Sequence, residues 1–271
     1  MISPPQEFGH EIKLLAAVQL RYDKDDPSGF IKNMYSHNSD GFRSDEFKTY
    51  HNGKHILFAG CSETYGVALF KENLWSYQVY RKISNSLQTS GYFNIGLPGA
   101  TILEIATQII SYISLYGTPD ILFVNLPDAD REISKVIPSA RRHSVIEYCE
   151  DYSDHIPKQA ESLFNSISNM CGNKTYYFSW TDRPKADNIC NLRNPKDGIK
   201  GFYRLAEEIN INRAVRAATE ELPTEEAHMG LVAMDGMHCG IAFHNVWADY
   251  IYSKYLADNA IIDKKVNRIR R

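Results

Sequence analysis

No stretch of this chain comes near the roughly 18 uninterrupted apolar residues that a membrane-spanning helix needs, so no span is expected. The first residues, "MISPPQEFGHEIKLL", lack a basic segment followed by a long apolar one, so no signal peptide is expected either. An excess of positive charge is also missing. Lys and Arg number 30 against 33 Asp and Glu, for a net charge of −3, which gives no basis for a nucleic-acid partner. The exception is "DKKVNRIRR" (263–271), whose clustered cations suit a solvated chain end. Cysteine is sparse: Cys61, Cys149, Cys171, Cys190 and Cys239 are scattered and form no CxxC pair. An odd count without a leader reads as reduced thiols in a cytoplasmic setting. His238, Cys239 and His244 lie close together but lack a recognised ligand spacing, so no metal is expected.

What is present is a chain of 271 residues, long enough for one large core, with no repeat and no low-complexity tract. Residues 1–50 are polar and punctuated by "DKDDPSG" and "HNSDGFRSDEF", and read as an extension packed on the main domain. The domain itself spans 51–258, and 259–271 form a basic tail. Within it, apolar runs alternate with helical patterns. "HILFAG" (55–60), "GYFNIGLPG" (91–99), "PDILFVNLPD" (119–128), "KTYYFSW" (174–180) and "GLVAMDG" (230–236) read as strands. Between and after them, 73–87, 101–116, 154–170, 203–222 and 243–259 read as helices. The helix at 101 is opened by the capping box of Thr101 and Glu104. Such alternation predicts right-handed crossovers and a parallel sheet covered on both faces. In these sheets ligands gather at the C-terminal edge of the strands.

The turns at that edge carry a consistent chemistry. The first strand ends in "GCSETYG", which offers Ser62; the second offers Gly96 and Gly99; the third offers Asn125 and Asp128; the last offers Asp235 and His238. A serine hydroxyl needs a base beside it, and the base needs an orienting group. Across the tight turn "DGMHCG", Asp235 can accept from one imidazole nitrogen of His238 while the other faces Ser62. Backbone N–H groups of Ser62 and Gly99 are the natural donors to an oxyanion. Cys61 beside the serine reads as packing, His244 as structural, and Trp75 and Trp247 as core or pocket wall. Trp180, with Asp182 and Arg183, is a candidate for the substrate cleft. An α/β-hydrolase elbow does not fit, because the residue two after Ser62 is Thr64 where that motif has glycine.

Taken in order, these blocks resemble the SGNH (GDSL-type) hydrolase family. "FAGCSETYG" resembles its first block, with "GCS" in place of Gly-Asp-Ser and Ser62 at the nucleophile. "NIGLPGAT" resembles the second, with Gly99 at the oxyanion-hole glycine, and "DGMH" resembles the Asp-x-x-His block. "NSDGFRSDEF" (38–47) is similar to the lead-in of members with an N-terminal extension. The third block departs: the family has Gly-x-Asn-Asp, whereas this chain has "VNLPDAD". Asp128 falls where the asparagine belongs, and an ionised carboxylate can only accept hydrogen bonds. Asn125 is the nearest amide but lies earlier in the strand. The resemblance implies a three-layer α/β/α, flavodoxin-like SGNH hydrolase fold and an ester hydrolase that needs no cofactor. Its substrate would be a small-molecule, glycan or lipid ester. An acyltransferase using the same triad and an inactive binding module on the same fold remain open, as does the oligomeric state.

Overall fold

"KHILFAG" becomes a strand because six successive residues are buried and apolar neighbours cover both sides of it. The computed structural model describes residues 34–127, 150–171, 174–179, 202–204, 211–220, 230–234 and 238–269. In chain order these form β1 (Lys54–Gly60), α1 (Ser62–Tyr65), a 3-10 turn (Lys71–Asn73), α2 (Trp75–Ser84) and β2 (Thr89–Asn94). Next come α3 (Ile102–Tyr116), β3 (Ile121–Asn125), α4 (Glu150–Cys171), β4 (Thr175–Ser179) and β5 (Phe202–Arg204). Two helices complete the series, α5 (Ile211–Thr219) and α6 (Ile241–Ile269).

The five strands lie in the order β2-β1-β3-β4-β5, with each neighbouring pair parallel. Strand alternation then divides the core in two. Leu57 and Ala59 of β1, with Leu122 and Val124 of β3, face α3 and α4 through Ile105, Ile109, Phe164 and Ile167. Ile56, Phe58, Ile121 and Phe123 face the other layer, made by Trp75 and Val79 of α2, Val215 of α5 and Trp247 and Ile251 of α6. Trp75 is wholly buried and meets Phe178 edge-on at 5.0 Å. Each such side chain contributes roughly 1.5–3 kcal/mol by leaving water. The three-layer α/β/α sandwich expected from the sequence is the one observed, and its strand order is the flavodoxin-like one.

Two expectations are corrected. Residues 203–222 do not form one helix: Phe202–Arg204 pair in parallel with Tyr177, Phe178 and Ser179, and helix begins at Ile211. A three-residue edge strand is too short to leave a period in the sequence. Conversely, the described part of 230–236, residues 230–234, is not a strand of the sheet: Val232 makes an isolated antiparallel bridge to Cys239 outside the five strands. The capping box at α3 is present in full, with the Thr101 side chain accepting from the Glu104 N–H. The last helix runs on to Ile269, through residues read as a tail.

At the N-terminal edge of the sheet, far from the strand ends that matter below, His51 stacks on His55 with centroids 3.6 Å apart. The His55 Nε2 lies 2.8 Å from the Tyr112 hydroxyl. Burial first, and the neighbouring His51 second, hold the His55 imidazole down to about 4 from its usual 6.5. Folded His55 therefore binds fewer protons than the unfolded chain between those two values, and stability falls as pH drops through that window. Urea midpoints taken at pH 7 and 4.5 are expected to converge in a His55→Gln variant relative to wild type. An unchanged pH slope in the variant would show that His55 is not the group responsible.

Candidate functional site

The strand order places a switch point between β1 and β3. The chain leaves β1 for β2 by way of α2 on one face, and leaves β2 for β3 by way of α3 on the other, and the C-terminal ends of β1 and β3 are where folds of this topology place their ligand crevice. Ser62 follows β1 there. Gly60, two residues before it, pairs in the sheet with Asn125, the last residue of β3. The four residues of α1 begin at Ser62, with the Thr64 and Tyr65 N–H groups both donating to the Cys61 carbonyl at 3.0 Å. The turn is tight enough that a Cβ on Gly60 would overlap the Thr64 side chain and stand 2.9 Å from the Asn125 carbonyl.

So short a helix cannot hold its own shape and must be held by its surroundings. Asn94, at the end of β2, donates from Nδ2 to the Thr64 carbonyl at 2.8 Å, while its Oδ1 accepts the Gly96 N–H at 2.8 Å. Arg43 does more. Only 1% exposed, it donates from Nη1 to the carbonyls of Gly66 (2.6 Å) and Tyr65 (3.3 Å), and from Nη2 to those of Leu69 (2.5 Å) and Met34 (2.8 Å). The Tyr65 and Gly66 carbonyls at the helix's C-terminal end are thus satisfied by one planar cation. Desolvation lowers the Arg43 guanidinium from its ordinary value, and the Tyr35 ring 4.9 Å away offers it a π-face. His37 Nε2 lies 2.8 Å from the Tyr65 hydroxyl on the same side.

Ser62 is 4% exposed, and its hydroxyl makes one polar contact among the described residues, to Cys61 Sγ at 4.0 Å. Cys61 is wholly buried in the core, as its packing role requires. His238 is half-buried on the turn closed by Val232 and Cys239, where its carbonyl accepts the Ala233 N–H at 2.8 Å. That turn is docked on the chain just after α1. Ala233 packs with Ala68, Leu69 and Leu74, and the Met234 N–H reaches the Ala68 carbonyl at 3.5 Å. The Cys239 N–H donates to Glu63 Oε1 at 3.4 Å, so the residues next to His238 and next to Ser62 touch. Burial, then the Glu63 carboxylate, push the Cys239 thiol up, away from thiolate formation.

Gly99 is exposed, has φ +74 and has nothing within 4 Å of where a Cβ would stand. Its left-handed backbone is the conformation glycine adopts without cost, and it faces open space. Asn125 is 1% exposed, with its Oδ1 lacking a hydrogen-bond partner. His244 is wholly buried and accepts the Trp75 N–H at Nδ1 (3.1 Å), a structural role. Asp235, Asp128, Trp180, Asp182 and Arg183 lie outside the described residues. Among the described residues no three His, Cys, Asp or Glu side chains come together in a way that could hold a metal ion. Two residues that the sequence did not single out, Arg43 and Glu63, hold the site together.

No protein-family model matches the chain, and no curated protein does. Similar solved structures include TesA, with a TM-score of 0.45 and 11% identity over 73% of this chain and 96% of TesA. A variant of Axe2, an acetyl xylan esterase from Geobacillus stearothermophilus, gives a TM-score of 0.45 and 14% identity over 76% of this chain and 96% of that one. LAE5, an alpha/beta hydrolase enzyme from the metagenome of Lake Arreo, Spain, gives 0.40 and 14% over the same shares.

An Arg43→Met variant strands several buried carbonyls beneath the elbow. Its expected cost is about 2–4 kcal/mol, measured as a lowered urea midpoint. A loss under about 0.5 kcal/mol would mean that the carbonyls find other donors.

Proposed function

We propose that the protein is a carboxylic ester hydrolase in which Ser62 is the nucleophile, His238 the base and Asp235 the group that orients it. The supporting observation is the junction of the two turns at the switch-point crevice. The residue after Ser62 accepts a hydrogen bond from the residue after His238, so the two chains meet one position from each functional side chain. The order of the sequence blocks supports the same assignment, since the SGNH resemblance puts these three residues in these roles.

The chemistry follows in two steps. Ser62 Oγ attacks the acyl carbon as its proton passes to a His238 ring nitrogen, and the tetrahedral oxyanion is held by N–H groups at Ser62 and Gly99. Collapse breaks the ester C–O bond, and the same proton goes to the departing alcohol. Water then repeats the sequence on the acyl-enzyme, with His238 as base, and releases the acid. In this structure the Ser62 hydroxyl turns to Cys61 Sγ, so the hydroxyl–imidazole hydrogen bond that the mechanism needs is one that forms as substrate binds, where such contacts often tighten. Nothing in the third block supplies the asparagine donor of the family. Asn125 sits at the right strand end, and a missing donor costs roughly 10²–10³ in rate. A slow enzyme acting on a small acyl group is the expected outcome. The SGNH resemblance suggests acyl esters of carbohydrates among the substrates to try first.

A fluorophosphonate probe is expected to label the wild-type protein and not Ser62→Ala, and nitrophenyl acetate turnover to fall on the order of 10⁴-fold or more in that variant. Wild type that is neither labelled nor active on acetyl, butyryl or longer esters, or on acetylated glycans, overturns the proposal.

A further inference from the structure

The proposed mechanism leaves one buried charged side chain beside the nucleophile without a task. Glu63 is 4% exposed and sits in the first turn of α1. Its two oxygens face two different neighbours. Oε1 takes the Cys239 N–H at 3.4 Å, and Oε2 stands 3.4 Å from His244 Nε2, within ion-pair distance but outside hydrogen-bond geometry. The His244 ring is fixed from its far side, because Nδ1 accepts the Trp75 N–H at the start of α2. With Nδ1 occupied as an acceptor, the ring proton sits on Nε2, the nitrogen nearest the carboxylate. The carboxylate is thus placed between the turn that carries His238 and the first turn of α6, and through His244 it is tied to α2.

We propose that Glu63 is a positioning residue, which holds the His238 turn in register with Ser62. This inference rests on the ester-hydrolase reading. Two features separate the role from general stabilisation. Glu63 is bonded along the chain to Ser62, and its donor Cys239 is bonded along the chain to His238, so one side chain sets the spacing of two backbones that carry the reaction. The turn also lies outside the sheet, where no ladder of strand hydrogen bonds fixes its height above β1. Moving the turn away from α1 strips a buried carboxylate of a donor, and that is costly because an unpaired charge in the interior has lost its water. The geometry on which the proton transfer from Ser62 depends is therefore guarded by a group that never touches substrate.

Two variants test this in the full chain. Glu63→Gln preserves volume but removes the charge and leaves one oxygen to serve both the Cys239 N–H and His244. Glu63→Asp retains the charge but is one methylene too short to reach both. Each is expected to lower kcat for nitrophenyl acetate by about 10–100-fold with KM changed less than about 2-fold. The labelling rate with the fluorophosphonate should fall in parallel, measured well below the temperature at which either variant unfolds. A role in charge alone would leave Glu63→Asp active; a role in stability alone would leave kcat and the labelling rate of folded protein unchanged. Either result overturns the proposal while the ester-hydrolase reading stands. Wild type that neither labels nor turns over removes the reading, and the positioning role with it.

Discussion

Everything at the crevice depends on how α1 is held. Four residues of helix have no stability of their own, since the cost of ordering the first turn is recovered only as further turns are added. Here the recovery comes from outside. Arg43 caps carbonyls at the helix end from below, Asn94 takes the Thr64 carbonyl from β2, and Glu63 reaches across to residues 239 and 244. Gly60 leaves room for the Thr64 side chain where any other residue would intrude. The result is a short, fixed element whose first residue is Ser62, at the end of a buried strand and beside the switch point. Rigid support of this kind is what allows a loop residue to carry chemistry.

This support also explains why the polar lead-in at 38–47 belongs to the site and is not a loose appendage. Among the described residues Arg43 has no carboxylate in salt-bridge contact, and its charge is met by carbonyl dipoles and the face of Tyr35. A guanidinium suits that task better than an ammonium would, because its planar fork presents several donors in fixed directions. Asn38 and Asp45 in turn order the lead-in itself: Asn38 Oδ1 accepts the Phe42 N–H at 2.9 Å, and Asp45 Oδ2 accepts the Tyr92 N–H at 2.9 Å. The residues that precede the sheet are therefore part of the floor on which the elbow rests.

The sheet was legible because a parallel strand buried on both faces must read as a continuous apolar run, and β1 and β3 do. The capping box at Thr101 marked α3 for an equally local reason. What failed were two segments whose structure is decided elsewhere. β5 exists because Phe202–Arg204 find an open edge on β4, and 230–234 stays out of the sheet because Val232 finds Cys239. Neither pairing leaves a periodic trace. The site divides in the same way. Ser62, Gly99 and His238 could be singled out as candidates from residue type and order, but Glu63 looks like one more polar residue in a turn. Its partners are 176 and 181 positions away, and only the fold brings them near.

One tension at the crevice remains part of its character. Asn125 Oδ1 and Thr64 Oγ1 are buried without hydrogen-bond partners among the described residues, and both residues crowd the same glycine, Gly60. A core optimised for stability alone would not leave two such groups together, because each lost hydrogen bond costs on the order of 1–3 kcal/mol. Native proteins relax the rule of full pairing chiefly where function asks for it. The departure of the third block from the family pattern falls on this corner too, since Asn125 is its first polar residue. Asp128, which falls at the family's asparagine position in the sequence, can only accept when ionised, and the unpaired atom of Asn125 is likewise an acceptor. The unsatisfied corner is thus where the altered block begins, at the place where β1 and β3 end side by side.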